Sequence, residues 1–131
     1  VTGIMQQKGD IHLNIGKPLT AEEIAAAASC DKNDRYQKIR HAVDLRVIEG
    51  YKLWKNNYVA YDIANHSFKY SDKYDQADVE KFVSYMEHQL DTVEPEINRE
   101  DLRRIFLDIY ANPVVTKELL EKEKATGAIL L

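Results

Sequence analysis

The chain has 131 residues, of which 44% are hydrophobic and 31% charged, and its formal net charge is −4. This length predicts one domain, and we expect no nucleic-acid partner because an acidic chain has no general electrostatic attraction to phosphates. No apolar run approaches the ~20 residues of a membrane span. We also expect no secretory signal peptide, since no basic leader precedes an apolar stretch.

The first predicted element is a β-strand over residues 11–15, where apolar and polar side chains alternate. A period of two is typical of a strand with one buried face. Gly16 and Pro18 end the pattern. Because one strand cannot form a sheet, we expect it to lie at an exposed edge or to pair with a second copy of the chain, which favours a dimer.

Two helices are predicted next. Thr20 and Glu23 have the spacing of a capping box, which predicts a short helix over residues 21–29. A longer helix is predicted over residues 34–55, and Gly50 weakens this helix without ending it. Its apolar stripe consists of Tyr36, Ile39, Val43, Val47, Tyr51 and Trp54.

Asparagines at positions 56–57 predict a break before a short helix over residues 58–64. Residues 65–75 are polar and rich in tyrosine, and we expect them to form a loop. Asp75 is the predicted N-cap of the following helix, and Pro95 prevents that helix from continuing.

Asn98 predicts the N-cap of a further helix. Asn112 and Pro113 predict a restart, with the proline at the first position of a last helix that ends near Lys124 and Gly127. The predicted fold class is therefore mainly α, with one N-terminal β-strand followed by five or six helices packed as an irregular bundle.

One stretch resembles a phosphate-binding loop only superficially. It contains Gly9, Gly16 and Lys17, and six residues lie between the two glycines. The P-loop needs four residues between its glycines and a Ser or Thr after its lysine. Pro18 follows the lysine here. We therefore expect no nucleotide site at this stretch.

The histidines offer little for catalysis or metal binding. His41 precedes Asp44, and His88 precedes Asp91, by one helical turn, which would allow each acid to tune a base. Such pairs are more often surface contacts. No two histidines have i, i+4 spacing, and the lone Cys30 supplies no metal framework, so we expect neither a metal nor a cofactor.

Tyrosine is the unusual feature of the composition. Six of the eight tyrosines fall between positions 36 and 74. Tyrosine has a large apolar body and a polar tip, which suits a core edge, a partner surface or a membrane interface. Two interpretations stay open: an ordinary helical core whose polar tips reach water, or a docking surface for other protein or membrane.

The opening stretch TGIMQQKGDIHLNIGKPL, residues 2–19, resembles a late strand of the glycerolipid acyltransferases, the family of the lysophosphatidate and glycerol-3-phosphate acyltransferases. In that family a basic residue and a glycine precede an alternating apolar strand, and Gly-Lys/Glu-Pro-Ile/Leu follows it. The matching residues here are Lys8-Gly9, residues 11–15 and Gly16-Lys17-Pro18-Leu19. The segments GYKLWKNNYVAYD and LRRIFLDIYANPVV resemble the C-terminal extension of a bacterial subgroup.

This resemblance implies two parts. Residues 1–19 would belong to an upstream α/β catalytic domain, as the late strand of a truncated sheet, and residues 20–131 would be a helical C-terminal domain. The first residue is Val1, which also leads us to expect a piece of a longer protein. The parent enzyme would transfer an acyl group from acyl-CoA or acyl carrier protein to glycerol phosphate or a lysophospholipid.

The family's His-x4-Asp motif is missing from this chain, because the fifth residue after each histidine is Lys17, Arg46, Ser71 or Val93. No catalytic residue carries over, and the fragment itself would be non-catalytic. The resemblance leaves Gly16 and Lys17 as its only binding candidates.

The single Cys30 excludes an internal disulfide and fits a reducing cytoplasm, and the resemblance leaves peripheral contact with the inner membrane open. Arg99, Arg103 and Arg104 are the local basic cluster that such contact would use, although a solvated helix face is the simpler interpretation. The alternative to the acyltransferase reading is a stand-alone helical protein-interaction module. In that module the tyrosines would bind a protein partner.

Overall fold

The structure, a computed structural model, describes residues 2–6 and 9–127. Its helices are α1 (Thr2–Met5), α2 (Ala21–Ala28), α3 (Lys32–Glu49), α4 (Lys55–Ala64), α5 (Gln76–Leu90) and α6 (Arg99–Ala125), with a 3₁₀ turn at Ser71–Lys73. The chain divides into two compact units, unit 1 (Val1–Lys52) and unit 2 (Leu53–Leu131). The predicted boundary after residue 19 lies inside unit 1 and stays a prediction.

The predicted N-terminal β-strand is wrong, because the described residues are helical, turn or irregular and contain no strand. Residues 11–15 are irregular, and Ile11, Leu13 and Ile15 are each more than 80% exposed. A helix satisfies its own backbone, whereas a strand needs a neighbour for its N–H and C=O groups. An alternating pattern without a partner strand therefore does not produce a sheet.

In unit 1, Glu23 of α2 bonds both the residue that caps its own helix and an arginine of α3. The predicted capping box is confirmed: the Glu23 amide donates to Thr20 Oγ1 at 3.2 Å, and the Thr20 amide donates to Glu23 Oε2 at 2.7 Å. The Arg46 guanidinium reaches the same Oε2 at 2.7 Å. The hydrogen bond from Arg46, with that from the Thr20 amide, holds the pKa of Glu23 below its usual value.

The predicted end of the long helix is wrong. It ends at Glu49 because Gly50 is its C-cap, and the Asn14 side chain lies so close that a Cβ on residue 50 would be 1.9 Å from Asn14 Nδ2. The predicted break at positions 56–57 is also wrong. Asn57 lies in the first turn of α4, where its Oδ1 accepts the Trp54 amide at 2.7 Å.

Unit 1 buries little apolar surface. Among the residues that the structure describes there, the buried apolar side chains are those of Ala27 and Leu45. The stripe predicted on α3 is largely open, since Tyr36 is 61% exposed and Val47 51% exposed. Periodicity placed these residues on one helix face, but that face has little cover within the described part of unit 1.

Unit 2 has a substantial core, formed where α4 lies against α5 and α6. Its buried members are Val59, Ala60, Phe82, Met86, Leu90, Leu107 and Ala111. Both predicted N-caps are confirmed: the Asp78 amide donates to Asp75 Oδ1 at 2.9 Å, and the Asp101 amide donates to Asn98 Oδ1 at 3.0 Å.

The predicted helix restart at Pro113 is wrong, because α6 runs through this proline to Ala125. A proline inside a helix removes one backbone hydrogen bond and costs about 3 kcal/mol. Packing offsets this cost, since Ala111 and Val114 are buried on either side. The Asn57 side chain also donates to the Tyr110 carbonyl at 2.8 Å. Gly127 follows the helix with φ 73°, which confirms the predicted stop.

Candidate functional site

The candidate site begins where α4 ends. After the Asn65 C-cap, His66 adopts φ 50°, the left-handed region that usually requires glycine. The His66 amide donates to the Ile63 carbonyl at 3.3 Å, and the Ser67 amide donates to the Asp62 carbonyl at 2.9 Å. This pair of bonds is a Schellman motif, and it reverses the chain so that residues 65–75 fold back along α4. We call residues 65–75 the tyrosine loop.

Asp62 holds one side of the tyrosine loop. This carboxylate is only 3% exposed. Its Oδ1 accepts the Ser67 hydroxyl at 2.7 Å, and its Oδ2 accepts the Tyr70 amide at 3.0 Å and the Tyr74 hydroxyl at 2.7 Å. All three donors are neutral and all three lie in the loop. A single aspartate of α4 therefore fixes the start, middle and end of this segment.

Glu118 of α6 holds the other side of the loop. Lys69 Nζ donates to Glu118 Oε1 at 2.5 Å, and the Tyr70 hydroxyl bonds the same oxygen. The Tyr61 hydroxyl donates to Oε2 at 3.3 Å. The Tyr70 ring also lies 4.9 Å from the Tyr58 ring, centroid to centroid, and 5.2 Å from the Tyr61 ring. The loop is thus fixed to two helices.

The pKa values follow from this burial and pairing. Burial, reinforced by the bond to Asp62, raises the pKa of Tyr74 to about 12. Burial, with the bond to Glu118, also raises the pKa of Tyr70. Burial opposes the charge on Glu118, but hydrogen bonds from Lys69 and Tyr70 outweigh it and lower the pKa of Glu118. Both tyrosines are therefore neutral donors at pH 7.

A cleft opens beside Asp62, between α4, the tyrosine loop and the first turn of α5. Its volume is about 620 Å³, and we call it the α4–α5 cleft. It is lined by Val59, Asp62, Ile63, His66, Ser67, Phe68, Ser71, Tyr74, Asp75, Gln76 and Val79. Neither lysine nor arginine occurs among these described lining residues. Phe68 is 83% exposed although it belongs to the lining.

A second concavity of about 490 Å³ lies on the opposite side of the loop, beside Glu118. Its lining combines the charges of Lys69, Lys117, Lys122, Glu118 and Glu121. Lys69 is already committed to Glu118 at 2.5 Å. Because acids and bases are mixed here, this concavity has no clear chemical preference, and the α4–α5 cleft is the stronger candidate site.

Gly16 and Lys17, the binding candidates suggested by the acyltransferase resemblance, are both exposed in an irregular part of unit 1. A Cβ on residue 16 would make an ordinary contact of 3.5 Å with Arg46 Cβ. The described linings of the α4–α5 cleft and of the concavity beside Glu118 include neither residue.

The histidine–aspartate pairs do not form isolated acid–base couples. His41 and His88 are exposed. Asp44 lies 4.0 Å from Arg40, and Asp91 accepts Arg99 at 2.8 Å. Within the described ranges, no group of three or more His, Cys, Asp or Glu side chains is arranged to hold a metal ion.

The basic cluster of α6 is paired with acids. Arg99 and Arg103 both bond Glu87, at 2.5 and 2.7 Å, and Arg104 lies 3.4 Å from Asp101. These bonds, first those from Arg99 and then those from Arg103, hold the pKa of Glu87 below its usual value. The cluster links α5 to α6, and much of its positive charge is offset locally.

Sequence reasoning identified the tyrosine-rich segment but not Asp62, which organises it. A signal was present: Asp62 is three residues after Val59, so both share one face of α4. An aspartate on an apolar helix face needs donors when that face is buried. Those donors lie up to twelve residues further along the chain, where no short motif connects them.

No helix in the described part of the chain is both long and apolar enough to span a bilayer. In the comparisons with known proteins, no family model matches this chain, and no curated protein or solved structure gives a significant match. The acyltransferase resemblance therefore stands on the quoted residues alone.

Proposed function

We propose that unit 2 is a helical protein-interaction module and that its α4–α5 cleft receives a side chain with an apolar stem from a partner polypeptide. The observation that carries this proposal is the cleft itself, about 620 Å³ in volume and lined in part by Val59, Ile63 and Val79. Ligand sites are commonly concavities of roughly 300–1,000 Å³ with apolar walls and a few placed polar groups.

The loop that forms one wall is held on both sides, which supports a preformed site. Asp62, through Tyr70 and Tyr74, and Glu118, through Lys69 and Tyr70, fix the tyrosine loop before any partner arrives. Binding to an ordered site avoids part of the entropy cost of ordering a loop. Phe68 adds an exposed aromatic rim, and aromatic side chains are enriched at protein interfaces.

An enzymatic use of the cleft has weaker support. The Ser67 hydroxyl donates to Asp62 at 2.7 Å, which commits this candidate nucleophile to the loop anchor. His66 lines the cleft and its backbone is part of the Schellman motif. A hydrolytic centre needs a base that takes the nucleophile's proton and a second group that orients this base. The Ser67 hydroxyl bonds the Asp62 carboxylate, which already serves as the loop anchor.

The experiment is a titration of the full chain with 1-hexanol, a neutral apolar probe, followed by ¹H–¹⁵N NMR. We expect saturable shift changes at Val59, Ile63 and Val79. A tryptophan at the exposed rim position, Ser71→Trp, is expected to abolish them, whereas Ser84→Trp on the exposed side of α5 serves as the matched control. Shifts elsewhere, or shifts that Ser71→Trp leaves unchanged, would contradict the proposal.

We propose as a second candidate that the chain is the C-terminal region of a glycerolipid acyltransferase of the bacterial cytoplasm. The sequence of residues 8–19 supports this, and so does the exposure of Ile11, Leu13 and Ile15, each above 80%. Apolar side chains in such number are expected where a segment contacts a further domain. In that parent, acyl transfer and contact with the membrane would depend on the upstream domain.

Reading the coding sequence immediately upstream of Val1 tests this second candidate. If the chain is part of an acyltransferase, we expect an upstream open reading frame that is continuous with the chain and encodes His-x4-Asp. A stop codon and a ribosome-binding site at that position would contradict it, and would leave the interaction module as the remaining proposal.

A further inference from the structure

We infer that the α4–α5 cleft recognises a lysine side chain of the partner, with Asp62 as the group that receives its ammonium. This inference rests on the proposed function, since it names the chemistry of the occupant of the same cleft.

The lining of the cleft includes a buried carboxylate, that of Asp62. Asp62 is 97% removed from solvent, and its donors are two hydroxyls and one amide, all neutral. Asp75, the other lining carboxylate, is engaged as the N-cap of α5. Because no lysine or arginine is among the described lining residues, a cationic ligand would meet no like charge of those two types in that lining and would provide the charge partner that the lining lacks.

The Asp62 carboxylate has more acceptor positions than hydrogen-bond donors within the loop. A carboxylate has about four acceptor positions, and three are used by Ser67, Tyr70 and Tyr74. One position, on Oδ1, remains. An arginine fork binds best with two parallel bonds, which this carboxylate cannot offer without losing an anchor. An ammonium is a compact charge that can bond a single acceptor through one of its three N–H groups, and it therefore fits the one remaining position better.

The walls of the cleft offer an apolar surface to the stem of an entering side chain. A lysine has a four-carbon stem that stays on apolar surface while its head reaches a polar group. Val59, Ile63 and Val79 supply such a surface beside Asp62. The exposed ring of Phe68 adds an aromatic face at the rim, which attracts a passing cation.

The test compares three probes of equal carbon number on the full chain at pH 7: hexylammonium, 1-hexanol and hexanoate. Hydrogen bonds to charged groups predict that hexylammonium binds about tenfold tighter than 1-hexanol, and that hexanoate binds more weakly than either. The variant D62N is expected to remove the preference for the cation while 1-hexanol still binds. The variant D108N removes an exposed carboxylate outside the cleft and is the control for general acidity.

Salt dependence keeps the test decisive even if D62N does not fold. An interaction with a buried carboxylate is screened much less than one with surface charge, so the preference should persist between about 0.05 and about 0.5 M salt. A preference that disappears over this range, or that D108N removes as fully as D62N, would overturn the inference. If 1-hexanol binds and hexylammonium is no better, the inference fails and the proposed function stands. If no probe binds in the cleft, both fail.

A final arm identifies the source of the ammonium. The capped peptide Ac-Ala-Ala-Lys-Ala-Ala-NH2 should shift the same cleft resonances as hexylammonium, and the same peptide with norleucine at its centre should bind more weakly. Binding of hexylammonium without binding of the lysine peptide would overturn a polypeptide occupant and would point to a free alkylamine.

Discussion

Removing the Asp62 carboxylate is expected to destabilise the protein by about 3 kcal/mol or more. In the variant D62A, the Ser67 hydroxyl, the Tyr70 amide and the Tyr74 hydroxyl all lose their acceptor. A hydrogen bond to a charged group contributes about 1.5–3 kcal/mol, and a buried donor left unsatisfied costs about 1–3 kcal/mol. Water that enters from the adjoining cleft recovers part of the sum over three bonds.

The assay is urea unfolding of the full chain followed by far-UV circular dichroism, together with thermal unfolding. A loss of about 3 kcal/mol corresponds to a fall in Tm of roughly 12–24 °C for a small domain. The near-isosteric variant D62N keeps an acceptor for the Tyr70 amide and the Tyr74 hydroxyl, while the Ser67 hydroxyl can rotate to accept from the new amide. We therefore expect D62N to lose less than half as much as D62A.

A D62A variant whose free energy of unfolding lies within about 0.5 kcal/mol of that of the unmodified chain, the range of ordinary surface substitutions, would contradict this role of Asp62. The role would also be refuted if D62N and D62A were equally destabilised, because the acceptor would then be irrelevant. A matched change at an exposed acid, D108A, is expected to stay within that surface range.

Three further perturbations test neighbouring parts of the account. His66→Gly should raise the free energy of unfolding by about 1 kcal/mol, because glycine adopts the left-handed conformation without strain; denaturant unfolding measures this, and a loss of stability would contradict the role of the Schellman motif. Asn57→Ala should cost about 1–2 kcal/mol by removing bonds to the Trp54 amide and the Tyr110 carbonyl, whereas Asn57→Asp keeps the first bond and should cost less in the same assay. The pKa of Tyr74 is raised from 10.0 to about 12, so its contribution to stability is complete below pH 10 and is lost as the pH rises toward 12. In thermal unfolding across this window, the Tm of Tyr74→Phe should decline less steeply with pH than that of the unmodified chain. Identical slopes would contradict the burial of this phenol.

Local chemistry made several elements predictable. Thr20, Asp75 and Asn98 are N-caps, and each cap depends on a side chain and an amide three residues apart, which a sequence displays directly. On α5, Phe82 and Met86 lie four residues apart and are both buried, and such spacing on one helix face is visible in a sequence.

The errors arose where distant residues decide. A strand at residues 11–15 needed a partner that the described chain does not supply. Gly50 ends α3 where Asn14 lies against it, and α6 continues through Pro113 because its neighbours are buried and Asn57 supports the helix. In each case the sequence pattern was present, but contacts between residues far apart in the chain determined which structure formed.

The candidate site shows the same division. Tyrosine enrichment between positions 36 and 74 was visible in the sequence, and two of those tyrosines, Tyr70 and Tyr74, lie in the tyrosine loop. The loop that forms one wall of the cleft, however, depends on Asp62 accepting from Tyr74, twelve residues away, and on Glu118 accepting from Lys69, 49 residues away. Such pairings follow only once α4, α5 and α6 are packed together.

The central claim is that the α4–α5 cleft binds an apolar stem, and intermolecular NOEs measure this most directly. In the full chain with bound hexylammonium, the account predicts NOEs from the probe's methylene protons to the methyl groups of Val59, Ile63 and Val79. The strongest contacts of the methylene next to the nitrogen should lie nearest to Asp62. NOEs confined to the exposed Ile105 and Ile109 of α6, or no NOEs at saturating probe, would contradict the claim.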